Sequence, residues 1–223
     1  MAEAKLRLGV LASGRGSNLL AVLNACASSK INAAVEVVIS DKPDSQAIGH
    51  ARRHRVAAVY LNPKDYASRE AYDAAAAGIL MEHRVDLVVL AGYMRLISSQ
   101  LIEPYQGRII NIHPSLLPSF PGLRAQKQAL DWGVRISGCT VHFVDETTDQ
   151  GPIIIQAAVP VLEGDTPEVL EARILEQEHR ILPQAIQFFA ERRLRVSGRR
   201  VALKSPKPST GLGVISPPVE AGL

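Results

Sequence analysis

The chain has 223 residues, 47% of them hydrophobic and 21% charged, with a mean hydropathy of +0.07; this is the profile of a globular protein and excludes a fibrous or wholly disordered one. The net charge of +3 resides between Ser197 and Leu223, where Arg199, Arg200, Lys204 and Lys207 oppose the single acid Glu220, so the body is neutral. Despite a pI near 9.0, a neutral body with 4% aromatics offers neither a basic stripe nor a stacking platform, and nucleic acid is not an expected partner.

No apolar run approaches the roughly 20 residues that span a bilayer, so no membrane association is expected. The start, Met1-Ala-Glu-Ala-Lys-Leu-Arg, lacks the apolar stretch and cleavage site of a secretory leader, which predicts a cytoplasmic protein. The two cysteines, Cys26 and Cys139, lie far apart among core-type residues without CxxC spacing. They are expected to be reduced, buried and structural, and a metal site is not expected.

From the N-terminus to about residue 132, short β-branched and leucine-rich runs alternate with alanine-rich helical segments, the pattern of βαβ units around a parallel sheet. Strands are predicted at Leu6–Ser13, Val35–Ser40, Ala57–Leu61, Leu87–Ala91 and Arg108–Ile112, with helices starting near Ser17, Ser45, Arg69, Ser98 and Arg124. Gly138–Val144 and Pro152–Pro160 then read as a β-hairpin around a polar turn, which makes the sheet mixed but mostly parallel. Thr166-Pro167-Glu168 opens a long helix towards Arg192, and Pro183 should kink or divide it. The fold class is therefore α/β in a single domain over residues 1–195, followed by a Pro/Gly-rich basic tail over 196–223 that is mobile or irregular.

Three polar constellations fall where such a sheet binds ligands. After the first strand, Ala12-Ser13-Gly14-Arg15-Gly16-Ser17-Asn18 leads straight into a helix. Glycines let the backbone aim N–H groups at an anion and the helix terminus adds partial positive charge, so the loop is a candidate phosphate cradle. Leu19 stands where a dinucleotide fingerprint needs its third glycine, and the Lys-Ser/Thr of a Walker loop is missing. The competing reading is a plain tight turn with Ser17 as N-cap.

At the carboxyl end of a predicted parallel strand lies Asn111-Ile112-His113-Pro114-Ser115-Leu116-Leu117-Pro118. Period-two alternation puts Asn111 and His113 on one side, where an amide could hydrogen-bond a developing oxyanion and an imidazole could exchange a proton. The competing reading is a histidine satisfied by backbone at a strand–loop junction. A carboxylate that charges and orients this histidine is best sought at Asp149, with Asp145 and Glu146 as more solvated alternatives, although each also suits a surface turn. Met94-Arg95-Leu96-Ile97 follows another strand and could line the same crevice. Arg69 lies near a helix start, and Glu178 and His179 lie within the last helix; all three are ordinarily surface positions. His50, His54 and His83 read as exposed helix-face or helix-end residues.

Taken in order through residues 6–195, the segments Gly14–Asn18, Ala91-Gly-Tyr-Met-Arg95, Asn111–Pro118, Pro121-Gly122, Gly138-Cys-Thr-Val-His142 and Asp149-Gln-Gly-Pro152 resemble the folate-dependent formyltransferase family. The Gly-Arg-Gly-Ser-Asn loop makes the closest likeness that to the phosphoribosylglycinamide formyltransferases of purine biosynthesis. Gln150 departs from the glycine that family members often carry there. The resemblance implies a Rossmann-like, formyltransferase-like domain that moves a formyl group from 10-formyltetrahydrofolate, a co-substrate, to the primary amine of glycinamide ribonucleotide, without a metal or a covalent enzyme intermediate.

It further implies that Asn111, His113 and Asp149 are catalytic. Gly16, Ser17, Asn18 and Glu178 would hold the ribonucleotide, while Arg69, Met94, Arg95, Leu96, Ile97, Asn111, Asp145, Glu146, Thr147, Thr148 and Asp149 would hold the folate. A cis peptide is expected between Leu117 and Pro118. The partners implied are small molecules, and a homodimer is compatible with the sequence. Two relatives of the same family, methionyl-tRNA formyltransferase and formyltetrahydrofolate hydrolase, normally carry an extra domain for which 223 residues leave no room. A non-catalytic folate- or nucleotide-binding module would leave Asn111, His113 and Asp149 without a purpose.

Overall fold

In a computed structural model of the chain, residues 4–147, 149–205 and 214–217 are described. Eight strands form one sheet: β1 (Leu6–Leu11), β2 (Ala33–Ser40), β3 (Ala57–Tyr60), β4 (Leu87–Leu90), β5 (Ile109–His113), β6 (Ile136–Phe143), β7 (Ile153–Pro160) and β10 (Ile215–Ser216). Their order is β10-β7-β6-β5-β4-β1-β2-β3. Strands β3 to β5 in that order run parallel, while β6, β7 and β10 are antiparallel to their neighbours. The mixed, mostly parallel sheet with a late hairpin is thus as the sequence predicts.

Alternation assigns the two faces. Val37, Ile39, Val88 and Leu90 pack with Tyr72, Leu80 and Leu101 on one face. Val38, Val89, Ile110 and Val141 pack on the other with Leu19, Val22, Ile181 and Ile186. Helices α3 (Arg69–Glu82) and α4 (Ser99–Ile102) cover the first face; α1 (Ser17–Ala27), α2 (Gln46–Arg53), α5 (Ala125–Asp131) and α6 (Pro167–Ala190) contribute to the second.

Local chemistry starts most of these helices. Ser45, Ser68 and Thr166 are N-caps whose hydroxyls accept from the backbone N–H of Ala47, Ala71 and Val169. At α1 the cap is Gly16, in the left-handed region at φ 69°, and no side chain caps the helix, so Ser17 is its first residue and not its N-cap.

Three further expectations are corrected. Pro183 does not divide α6, which is continuous from Pro167 to Ala190; Leu182, Ala185 and Ile186 beside it are at most 1% exposed, and their packing holds the helix through the missing N–H. Beyond Ser197 the chain is partly regular: β8 (Leu194–Ser197) and β9 (Arg200–Leu203) form a hairpin, and β10 pairs with β7. These short, charged strands lack an apolar period long enough to read. His50, His54 and His83 are half-buried at helix ends, not exposed.

Cys139 is buried and Cys26 half-buried, both free; burial pushes the Cys26 thiol up to about 11 and raises that of Cys139 as well. The Leu117–Pro118 peptide is cis, as expected. Among the described residues no helix is long and apolar enough to cross a membrane.

Candidate active site

From β1 the chain runs to α1 and β2 on one side of the sheet, whereas β4 and β5 lie on the other side of β1. The connections therefore part between β1 and β4, and a crevice opens beyond their carboxyl ends. A cavity of about 1290 Å³ occupies that crevice. It is lined by the loop after β1 (Ser13 to Asn18), the loop after β4 (Ala91 to Ser98), the end of β5 (Asn111 to Pro114), the β6–β7 loop and one face of α6.

Every described residue to which the resemblance assigns a role lines this one cavity: Gly16, Ser17, Asn18, Arg69, Met94, Arg95, Leu96, Ile97, Asn111, His113, Asp145, Glu146, Thr147, Asp149 and Glu178. Thr148 lies outside the described residues.

The loop after β1 presents the uncapped N-terminus of α1. A Cβ on Gly16 would sit 2.8 Å from the Ala47 Cα, so helix α2 closes one side of this loop and only glycine fits both the space and the positive φ. The Ser13 hydroxyl accepts from the Met94 N–H at 2.9 Å, which ties this loop to the one after β4. The latter is fixed from α3 as well: the Asp73 carboxylate, fully buried, accepts from the Ser98 N–H at 2.6 Å. Arg95 stacks over the Tyr72 ring at 4.6 Å. Met94 and Leu96 are left 61% and 57% exposed in the cavity, apolar surface suited to a flat ring.

At the centre, His113 is 5% exposed. Its Nδ1 lies 3.5 Å from Asp149 Oδ2, and its Nε2 lies 2.9 Å from the Phe120 carbonyl oxygen. Both ring nitrogens thus face acceptors, which the imidazolium satisfies and the neutral ring satisfies only once. Asp149 is held by the Gly122 N–H, which donates to Oδ2 at 2.8 Å, and takes a left-handed backbone at φ 54°. Its side chain is only 11% exposed, so it is not the surface turn residue that spacing alone allowed. Asp145, Glu146 and Thr147 stay exposed on the rim.

His142 carries a role that the sequence did not suggest. Strand β6 pairs with β5 so that His142 faces Asn111. The His142 Nδ1–H donates to the Phe143 carbonyl at 2.8 Å, leaving Nε2 to accept from Asn111 Nδ2 at 3.1 Å. Burial lowers the His142 pKa, in keeping with a neutral ring that accepts. This contact orients the Asn111 amide and spares one of its N–H groups for a ligand. Period-two alternation on both strands was the signal, but only the hairpin register brings the two together.

Glu178 is also not a surface position. It is 5% exposed, accepts from Asn18 Nδ2 at 2.7 Å, and burial pushes its carboxyl up to about 7. Asn18 lines the cavity, and its Oδ1 is buried with no hydrogen-bond partner among the described residues. His179, one residue on, is half-buried and does not line this cavity. Among the described residues no group of three or more His, Cys, Asp or Glu side chains is placed to hold a metal ion.

The chain is similar to known proteins over most of its length. The formyl transferase family matches residues 6–186. The phosphoribosylglycinamide formyltransferase of Escherichia coli is 44% identical over 191 residues, covering 86% of this chain and 90% of that protein. The trifunctional purine biosynthetic protein adenosine-3 of Drosophila melanogaster is 47% identical over 94% of this chain, which spans only 15% of that longer relative. Among solved structures, glycinamide ribonucleotide transformylase 1 from Symbiobacterium toebii superposes with a TM-score of 0.90 at 54% identity, over 92% of this chain and 96% of that one. This chain belongs to the formyl transferase family and, within it, to the phosphoribosylglycinamide formyltransferases.

Proposed function

We propose that the chain transfers the formyl group of 10-formyltetrahydrofolate to the primary amine of glycinamide ribonucleotide, giving formylglycinamide ribonucleotide and tetrahydrofolate in purine biosynthesis. The observation that carries this reading is the meeting of an anion cradle, an apolar-walled slot and the group Asn111, His113 and Asp149 in one cavity.

The phosphate of the ribonucleotide binds the backbone N–H groups of Gly16, Ser17 and Asn18 at the start of α1, and Glu178, on the cavity wall, receives a hydroxyl donor. The folate lies against Met94, Arg95, Leu96 and Ile97, with Arg69 and the loop from Asp145 to Asp149 around it. The amine nitrogen attacks the formyl carbon, and the carbonyl oxygen takes up negative charge. The spare Asn111 N–H and the His113 imidazolium stabilise that oxyanion, which takes over the Nε2–H now resting on the Phe120 carbonyl. Asp149, 3.5 Å from Nδ1, orients the ring. As the bond from carbon to N10 breaks, the proton lost by the amine passes to N10.

In this reading residues 1–195 are the catalytic unit and 196–223 an appended tail, and the protein acts in the cytoplasm on small molecules without nucleic acid or membrane. A homodimer is compatible with this reading. The test is the absorbance change on folate deformylation by the purified protein, with and without glycinamide ribonucleotide. Turnover only with the ribonucleotide is expected, whereas equal turnover without it would make the protein a hydrolase.

A further inference from the structure

Arg15 is the one charged residue of the glycine-rich loop, and it sits between Gly14 and Gly16 immediately before the uncapped start of α1. Its guanidinium pairs with the Glu171 carboxylate, across the cavity on α6. Residues Glu171, Leu175 and Glu178 are spaced four and three apart, so they share one face of α6, and all three line the cavity. The pair therefore spans the mouth of the cavity directly beside the place where the ribonucleotide's phosphate is proposed to bind.

Two features make this pair exchangeable. Its side chains are 67% and 39% exposed, and an ion pair in such a setting is held weakly. A phosphate dianion offers a guanidinium more charge and a bidentate fit, which favours the swap. Meanwhile Glu171 places a negative charge where a phosphate must approach, and Arg15 masks it. The charges of Glu171 and Arg15 also act in opposite directions on the buried Glu178 carboxyl, which places all three within one electrostatic neighbourhood.

We propose that Arg15 is a phosphate-binding residue held in reserve by Glu171, and that it exchanges this carboxylate for the phosphate of the incoming substrate. The proposal rests on the reading that the loop holds a phosphate ester. It predicts effects of opposite sign from the two partners. Removing Arg15 weakens phosphate binding, while neutralising Glu171 strengthens it because the competitor and the repulsion go together.

The experiment is a calorimetric titration of inorganic phosphate onto the intact wild-type protein, Arg15→Ala, Arg15→Lys and Glu171→Gln, read beside KM and kcat for the ribonucleotide. Arg15→Ala should weaken phosphate binding and raise KM by roughly three- to tenfold, with kcat changed far less, and Arg15→Lys should recover part of the loss. Glu171→Gln should tighten phosphate binding and lower KM. An unchanged or weaker phosphate affinity in Glu171→Gln, or wild-type affinity in Arg15→Ala, would overturn the exchange. The phosphate titration needs no formyl transfer, so turnover without the ribonucleotide would refute the proposed reaction and leave this result standing on its own.

Discussion

Glu178 shows how one buried residue of the cavity wall makes stability depend on pH. Burial disfavours its charged form and pushes the carboxyl up to about 7, against the Asn18 hydrogen bond that works the other way. The folded state therefore keeps this proton in a range where the unfolded chain has lost it. Stability from this group is greatest below the ordinary carboxyl pKa of 4.5 and declines as pH rises towards about 7, above which it is level. Glu178→Gln removes that slope. Denaturant unfolding at about pH 5 and pH 8 should show the wild type losing more stability over the interval than the variant, since other titrating groups cancel in the comparison. Equal losses would mean that the carboxyl is not perturbed by the fold. Nothing in the spacing of Glu178 announces its burial, because a carboxylate on a helix is ordinarily solvated. By contrast Asn111 and His113 were legible, since alternation along one strand already puts them together.

At the level of elements, the β6–β7 hairpin carries both His142 and Asp149 and sets the electrostatics of the centre. Gly151 is its tightest point. A Cβ there would overlap the Phe143 carbonyl oxygen and come within 3.5 Å of His142 Nδ1. Gly151→Ala must therefore push the loop away from β6 and carry Asp149 with it. We expect a fall in kcat of about 10²-fold, the scale of a misplacement near 1 Å, with secondary structure by circular dichroism retained. Wild-type kcat in this variant would show that the hairpin's position is not critical. The hairpin itself was legible from its two extended runs, but the facing of Asn111 by His142 was not, because register depends on where the turn closes. Helix α6 teaches a related lesson. Pro183 argued for a break on local grounds, and core packing on both sides of it prevailed.

For the whole molecule, the alternation of strands and helices gave the fold class, yet the strand order that creates the crevice comes from contacts remote in sequence. Strand β1 lies between β2 and β4, and this divergence brings a loop near residue 15 within reach of α6 near residue 171. Such a pairing has no local signature, which is why Arg15 and Glu171 were not singled out together. The C-terminal strand β10, only two residues long, escaped for the same reason: it has no pattern of its own and takes its conformation from β7. The loop after β1, the loop after β4 and His113 at the end of β5 lie on separate elements around one cavity, so on the proposed reading the loss of His113 should act on chemistry more than on binding. The most direct measurement is the single-turnover rate of formyl transfer by His113→Ala with both substrates bound, alongside their dissociation constants. The rate should fall by about 10²–10³-fold with binding nearly unchanged, the loss typical of one oxyanion donor. A folded His113→Ala protein that transfers formyl at the wild-type rate would contradict it.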